Sequence, residues 1–97
     1  MTINKKLEGK TLIVSVEGQL DSVTSPALEA SLRADIGKAS NVIFDFEKLE
    51  FISSAGLRVI LATIKYFKQE NAVTVINIQP AVREIFDFTG FTQIMKL

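Results

Sequence analysis

The sequence predicts an α/β domain built on a mixed, largely parallel sheet of four to five strands. Two strand-type segments lead the chain and are joined by a Gly9-Lys10 turn. Helix-type and strand-type segments then alternate, as crossover connections between parallel strands require. The helix-type segments open on strong start signals: Ser25-Pro26, Pro80 and a run of small residues at 53–56. A chain of 97 residues suits one domain, since a domain of this size buries roughly 60–70 % of its unfolded surface.

Residues 2–7 and 11–17 are rich in strand formers. In the second, Leu12, Val14 and Val16 alternate with Thr11, Ser15 and Glu17, the period of a strand with one buried face. Ile13 breaks the alternation; it predicts partial cover on the opposite face and places this strand inside the sheet. Residues 18–22 read as a polar loop. In the following helix Leu28, Leu32 and Ile36 recur every four residues, and Gly37 ends it. Residues 41–46, with Val42, Ile43 and Phe44 in a row, read as a buried central strand, and residues 47–52 as a short connection.

From Leu57 onward Ile60, Leu61, Ile64 and Phe67 fall at helical spacing. Val59, Ala62 and Tyr66 flank that stripe, either widening the core contact or facing a partner. Glu70 and Asn71 are read as ending this helix and residues 72–77 as a fourth strand. Pro80 starts a third helix with Val82, Ile85 and Phe86 on its apolar face and Gly90 as its carboxyl cap. Residues 94–97 read as a final short strand.

The chain is organised around residues 50–61, where an apolar approach meets two serines, Ala55 and Gly56 before a strongly amphipathic run. With Ser53 as helix cap, its hydroxyl accepts a hydrogen bond from a first-turn amide, and Ile52 and Leu57 occupy the positions of a hydrophobic staple. Ser54 is then left in the first helical position with its hydroxyl uncommitted. Gly56 inside the first turn costs about 1 kcal/mol relative to alanine. Folding offers no evident return for that cost, and together with Ala55 it is read as keeping the surface beside Ser54 low for an approaching protein. Phosphate on Ser54 would add about two negative charges at the positive end of the helix dipole. Two readings stand at this point, simple capping and a phosphorylation switch.

Lysine plus arginine equal aspartate plus glutamate at 11 each, so no overall basic field exists to hold nucleic acid or an anionic membrane. No apolar run approaches the ~20 residues of a membrane span, and residues 1–6 lack a signal peptide's apolar segment, so a cytoplasmic protein is expected. Cysteine and histidine are absent, which removes disulfides, thiol nucleophiles, zinc sites built on those ligands and imidazole-dependent hydrolases. Glycine patterns for phosphate or dinucleotide binding are missing, and Lys65 lies about three helical turns from Ser54. The expectation is a binding module rather than an enzyme, with no metal or cofactor of its own.

The segment Phe51, Ile52, Ser53, Ser54, Ala55, Gly56, Leu57 resembles the signature of STAS domains of the bacterial anti-sigma factor antagonist type. Gly18, Gln19, Leu20, Asp21 matches the glycine, any residue, leucine, aspartate motif at the end of that family's second strand, and the likeness continues from Pro80 to Phe86 and on to Gly90. The resemblance covers nearly the whole chain and implies helices mainly on one face of the sheet. It also implies a cycle in which the unmodified antagonist binds an anti-sigma factor that is itself a serine kinase, freeing the sigma factor. By position Ser54 is the phosphoacceptor, modified at the expense of ATP and restored by a metal-dependent serine phosphatase of the PPM type. Asp21, Ser22, Ser53, Ala55, Gly56, Arg58 and Val59 surround it on the implied partner surface. Many members have aspartate where Ser53 stands, which makes Ser53 a secondary acceptor candidate, and many continue into a further helix beyond the position of Leu97. The expected oligomeric state is a monomer or weak dimer. The alternative function is a STAS adaptor or structural subunit of a transporter or sensory complex, with no phosphorylation cycle.

Overall fold

β2 (Thr11–Leu20) is the spine of the sheet because it pairs with three other strands. β1 (Thr2–Glu8) runs antiparallel along residues 11–17 and β3 (Asn41–Asp45) parallel along residues 11–15. β4 (Leu49–Ile52) pairs parallel with residues 18–20, and β5 (Val73–Ile76) extends the sheet from β3. The computed structural model describes residues 1–69 and 71–95. Among the described residues four α-helices accompany the strands: α1 (Ser25–Asp35), α2 (Ser54–Tyr66), α3 (Pro80–Thr89) and α4 (Phe91–Met95), with a 3-10 turn at Ile36–Lys38.

The strand periodicity decides which face the helices cover. Leu12, Val14 and Val16 of β2, Val42 and Phe44 of β3, and Val73 and Val75 of β5 are buried in one cluster with Leu28 and Leu32 of α1, Ile60 of α2 and Phe86 of α3. The alternate residues Thr11, Ser15, Asn41 and Asp45 are only half-buried, and Thr74 and Ile76 are exposed. Ile13 belongs to this open face, contrary to the expectation of cover there. Its register neighbours Lys6 and Ile43 flank it laterally and leave it half-buried. An aromatic chain ties the layers together. Phe44 and Phe46 have centroids 5.6 Å apart, Phe46 meets Phe86 edge-on at 6.4 Å, and Phe86 meets Phe91 at 5.6 Å. On the far side Lys5 reaches from β1 to α1, donating to the Ser31 carbonyl at 2.9 Å and pairing with Asp35.

Four further sequence expectations are corrected. The polar loop at residues 18–22 begins later, because β2 continues to Leu20 through a register shift at Gly18, whose φ of +94° suits glycine. The connection at residues 47–52 contains β4, invisible to periodicity because only its end residues Leu49 and Ile52 are buried. α2 stops at Tyr66, ahead of Asn71; Glu70 lies outside the described residues. The final strand is instead α4: the Gly90 carbonyl accepts from the amides of Gln93 and Ile94, and Phe91 and Met95, four residues apart, are both buried. Residues 96 and 97, the rest of that expected strand, lie outside the described residues.

Phe86 joins α3 to α4 and to Phe46, the residue that follows β3, so Phe86→Ala is expected to cost about 3–5 kcal/mol, measured by urea unfolding. Phe88 on the same helix is 92 % exposed, and Phe88→Ala is expected to change stability by less than about 0.5 kcal/mol. Equal losses in the two variants would show that the aromatic chain does not bind the layers.

Candidate functional site

The parallel pairing of β2 with β4 sets the chain segments that follow them side by side. The Ser53 amide donates to the Leu20 carbonyl at 2.8 Å, which holds the start of α2 against the loop that leads into α1. In that loop the Asp21 carboxylate accepts from the amides of Val23 at 2.9 Å and Thr24 at 3.0 Å, while the Thr24 hydroxyl oxygen accepts from the Asp21 amide at 2.9 Å. This reciprocal pair is a capping box with aspartate at the cap and threonine three residues on. The Ser25 amide already bonds to the Asp21 carbonyl at 2.8 Å, so the helical path starts at Asp21, and Ser25 is buried rather than capping. The Thr24 amide, helped by the Val23 amide and the Thr24 hydroxyl, holds the Asp21 carboxyl below the usual carboxylate range.

At the start of α2, Ser53 occupies the cap position with extended backbone, φ −99° and ψ 178°, but forms no side-chain cap bond. Its hydroxyl is buried and has no hydrogen-bond partner among the described residues, so the expected hydroxyl-to-amide bond is corrected. Ser54 is the first helical residue and is exposed. Ile52 and Leu57 are both buried in the core cluster, where a staple at these positions would put them.

Gly56 faces inward, which overturns its reading as a clearing in the docking surface. A Cβ there would lie 2.7 Å from Ile52 Cγ1 and 2.8 Å from Leu20 Cγ. The glycine allows the first turn of α2 to sit directly on the ends of β2 and β4. Folding therefore does gain from it, by a close approach that alanine's methyl would obstruct.

Of the remaining surface candidates, Ser22 and Arg58 are exposed, Asp21 and Ala55 half-buried, and Val59 is buried at 7 % exposure. Val59 thus belongs chiefly to the core, whereas Ala62 and Tyr66 of the same flanking strip are exposed. Ser22, Ser25 and Glu29 face Ala55, Arg58 and Ala62 across a shallow hollow of about 280 Å³ between α1 and α2. The tertiary structure thus brings Ser22 together with Ala55 and Arg58. Arg58 folds back along α2, its Nε donating to the Ser54 carbonyl at 3.4 Å. Glu29 across the hollow pairs with Arg33, and Arg58 makes no ion pair among the described residues. The first turn of α2 contains no acidic side chain to offset its dipole.

The STAS domain family model matches residues 2–97. The chain belongs to the STAS domain family. This STAS domain is 37 % identical over 94 residues to BtrV of Bordetella bronchiseptica, a protein assigned as an anti-sigma factor antagonist; the match covers 95 % of this chain and 80 % of BtrV. Among solved structures it is similar to an anti-sigma factor antagonist from Mycobacterium paratuberculosis, with a TM-score of 0.86 and 29 % identity over 97 % of this chain and 81 % of that one. The fold is also that of the Bacillus cell fate determinant SpoIIAA in its phosphorylated form, with a TM-score of 0.72 at 23 % identity, covering 95 % of this chain and 86 % of that one. No helix among the described residues of the STAS domain is long and apolar enough to cross a membrane.

Three residues of this surface escaped the sequence reading. Val23 is 83 % exposed beside Asp21, and Phe51 is 44 % exposed on β4, just ahead of the serines. An apolar residue within a polar turn was the available signal for Val23; Phe51 had none, because β4 itself was unreadable. Thr24 was legible as the partner of Asp21 at capping-box spacing.

Gly56→Ala gains about 1 kcal/mol of helix propensity but overpacks a site where crowding costs about 1–3 kcal/mol, so a net loss is expected in urea unfolding. A stabilised Gly56→Ala variant would refute the close-approach explanation. For Asp21, a folded-state pKa below the unfolded one means that its contribution is present above the unfolded pKa of about 3.9 and is lost as pH falls through the folded value. The gap in Tm between the native chain and Asp21→Ala is therefore expected to be widest near about pH 7 and to close in the acid range. A gap independent of pH would rule out the charged cap.

Proposed function

We propose that this STAS domain is an anti-sigma factor antagonist whose binding is switched off by phosphorylation of Ser54. The observation that carries the reading is the position of Ser54, exposed at the first residue of α2 and held beside the Asp21 loop through the Ser53–Leu20 hydrogen bond. Similarity to BtrV and to the mycobacterial antagonist supports the antagonist role, and the phosphorylated SpoIIAA structure supports modification within this fold.

The proposed partner is an anti-sigma factor with serine kinase activity, which the unmodified surface occupies so that the sigma factor is released. In the kinase's site the Ser54 hydroxyl oxygen attacks the γ-phosphorus of ATP. The bond to the β–γ bridging oxygen breaks, ADP leaves and the hydroxyl proton passes to a base of the kinase. The phosphate then adds about two negative charges and three strong acceptor oxygens at a point of the docking surface that carried only a neutral hydroxyl. A PPM-type phosphatase reverses the step by hydrolysis. The STAS domain itself is the substrate and binder, acting in the cytoplasm as a monomer or weak dimer. Asp21, Ser22 and Arg58 are the proposed partner contacts; Gly56 and Val59 shape that surface from beneath. Ser53, with its hydroxyl buried, is the secondary acceptor at most.

Incubation with the cognate kinase and ATP, followed by mass spectrometry, is expected to locate phosphate on Ser54 and to find it at background in Ser54→Ala. Ser54→Asp is expected to weaken kinase binding on the order of tenfold or more, as like charge at an interface does. Equal phosphate in Ser54→Ala would overturn the assignment. A stable complex indifferent to ATP and to Ser54→Asp would favour the adaptor.

A further inference from the structure

Arg58 is the one site residue whose charge has no evident use in the unmodified chain. Helical side chains lean toward the amino terminus, so a residue at position i+4 covers the turn of residue i. Arg58 obeys this geometry and lies over Ser54, yet its only hydrogen bond among the described residues is the long contact from Nε to the Ser54 carbonyl. The two terminal nitrogens of its guanidinium are uncommitted, and neither residue is buried. A planar fork of donors held one helical turn from an exposed serine, in contact with that serine's carbonyl, suits a phosphate on the serine, since guanidinium binds phosphate oxygens in pairs.

We propose that Arg58 is the internal counter-charge of phosphorylated Ser54, leaving the Ser54 carbonyl and pairing with the phosphate along the flank of α2. The inference rests on modification of Ser54 as proposed above. It adds a second effect to the switch. In the unmodified chain Arg58 is an exposed cation on the docking surface, available to a partner carboxylate. Phosphate both introduces negative charge and withdraws that cation, so one modification changes two points of the surface. The pair also favours α2, because an opposite-charge pair at this spacing supports the helix and the phosphate lies at the positive end of its dipole.

The test installs phosphoserine at position 54 by genetic encoding in the full chain, with Arg58 intact or replaced in Arg58→Gln, and titrates the phosphate by phosphorus NMR. A charge pair of this kind is expected to lower the second phosphate pKa by about 0.2–0.4 unit relative to Arg58→Gln. The difference is expected to shrink at about 1 M salt, where the screening length falls to about 3 Å. Lys65→Gln serves as the control, because Lys65 lies about 16 Å along the helix from Ser54, against about 6 Å for Arg58. Identical second pKa values with and without Arg58 would overturn the proposal, as would an equal shift in Lys65→Gln, which would mark a net-charge effect. The installed phosphate makes this result independent of any kinase, so failure of the Ser54 assignment would appear separately, as absence of transfer to Ser54 in the kinase reaction.

Discussion

The architecture of the site depends on the contact of Gly56 with Leu20 and Ile52. Without a side chain at 56, the first turn of α2 rests on the ends of two parallel strands, and the Ser53 amide comes within 2.8 Å of the Leu20 carbonyl. Leu20 is fully buried, so this contact is anchored in the core cluster that holds α1, α2 and α3 to the sheet. Interiors packed to crystal density transmit a change of one methyl group, which is why a single glycine can fix where a surface serine stands.

The two sequence motifs are thus one object in space. In the first, Gly18 supplies the left-handed residue at the register shift, Leu20 supplies core and carbonyl, and Asp21 caps the path into α1. In the second, Ile52 and Gly56 meet Leu20, leaving Ser54 and Arg58 outward. The division of labour differs from plain helix capping. The reciprocal cap bonds of Asp21 and Thr24 are made in the turn ahead of α1, whereas α2 begins with a buried Ser53 hydroxyl that has no partner among the described residues, and its first turn carries no acidic side chain. The positive end of α2 therefore has no negative charge in its own first turn to offset it.

Helices on one face of the sheet set the packed core apart from the proposed switch surface. Phe44, Phe46, Phe86 and Phe91 join strands to helices within the core, while the proposed switch residues lie where β2 and β4 end. Ser54 lies on exposed surface rather than in the core, so the proposed modification there would not require the fold to open. The hollow between α1 and α2 continues this surface, and Arg58 lies where the serine and the hollow meet.

Local patterns in the sequence determined the strand alternation at Leu12, Val14 and Val16, the proline-marked starts of α1 and α3, the Gly90 cap and the helical register of α2, because each is written in neighbouring residues. Ser54 as the exposed first residue of α2 was legible for the same reason. The tertiary structure alone decided what depends on residues distant in the chain: β4, which has no periodicity and exists through pairing with β2; the inward role of Gly56, set by Leu20 thirty-six positions earlier; and the juxtaposition of Ser22 with Arg58. Ser53 shows the boundary most plainly. Its position as the residue before the helix followed from local spacing, but whether its hydroxyl would reach an amide or be buried without one was fixed by the packing around it.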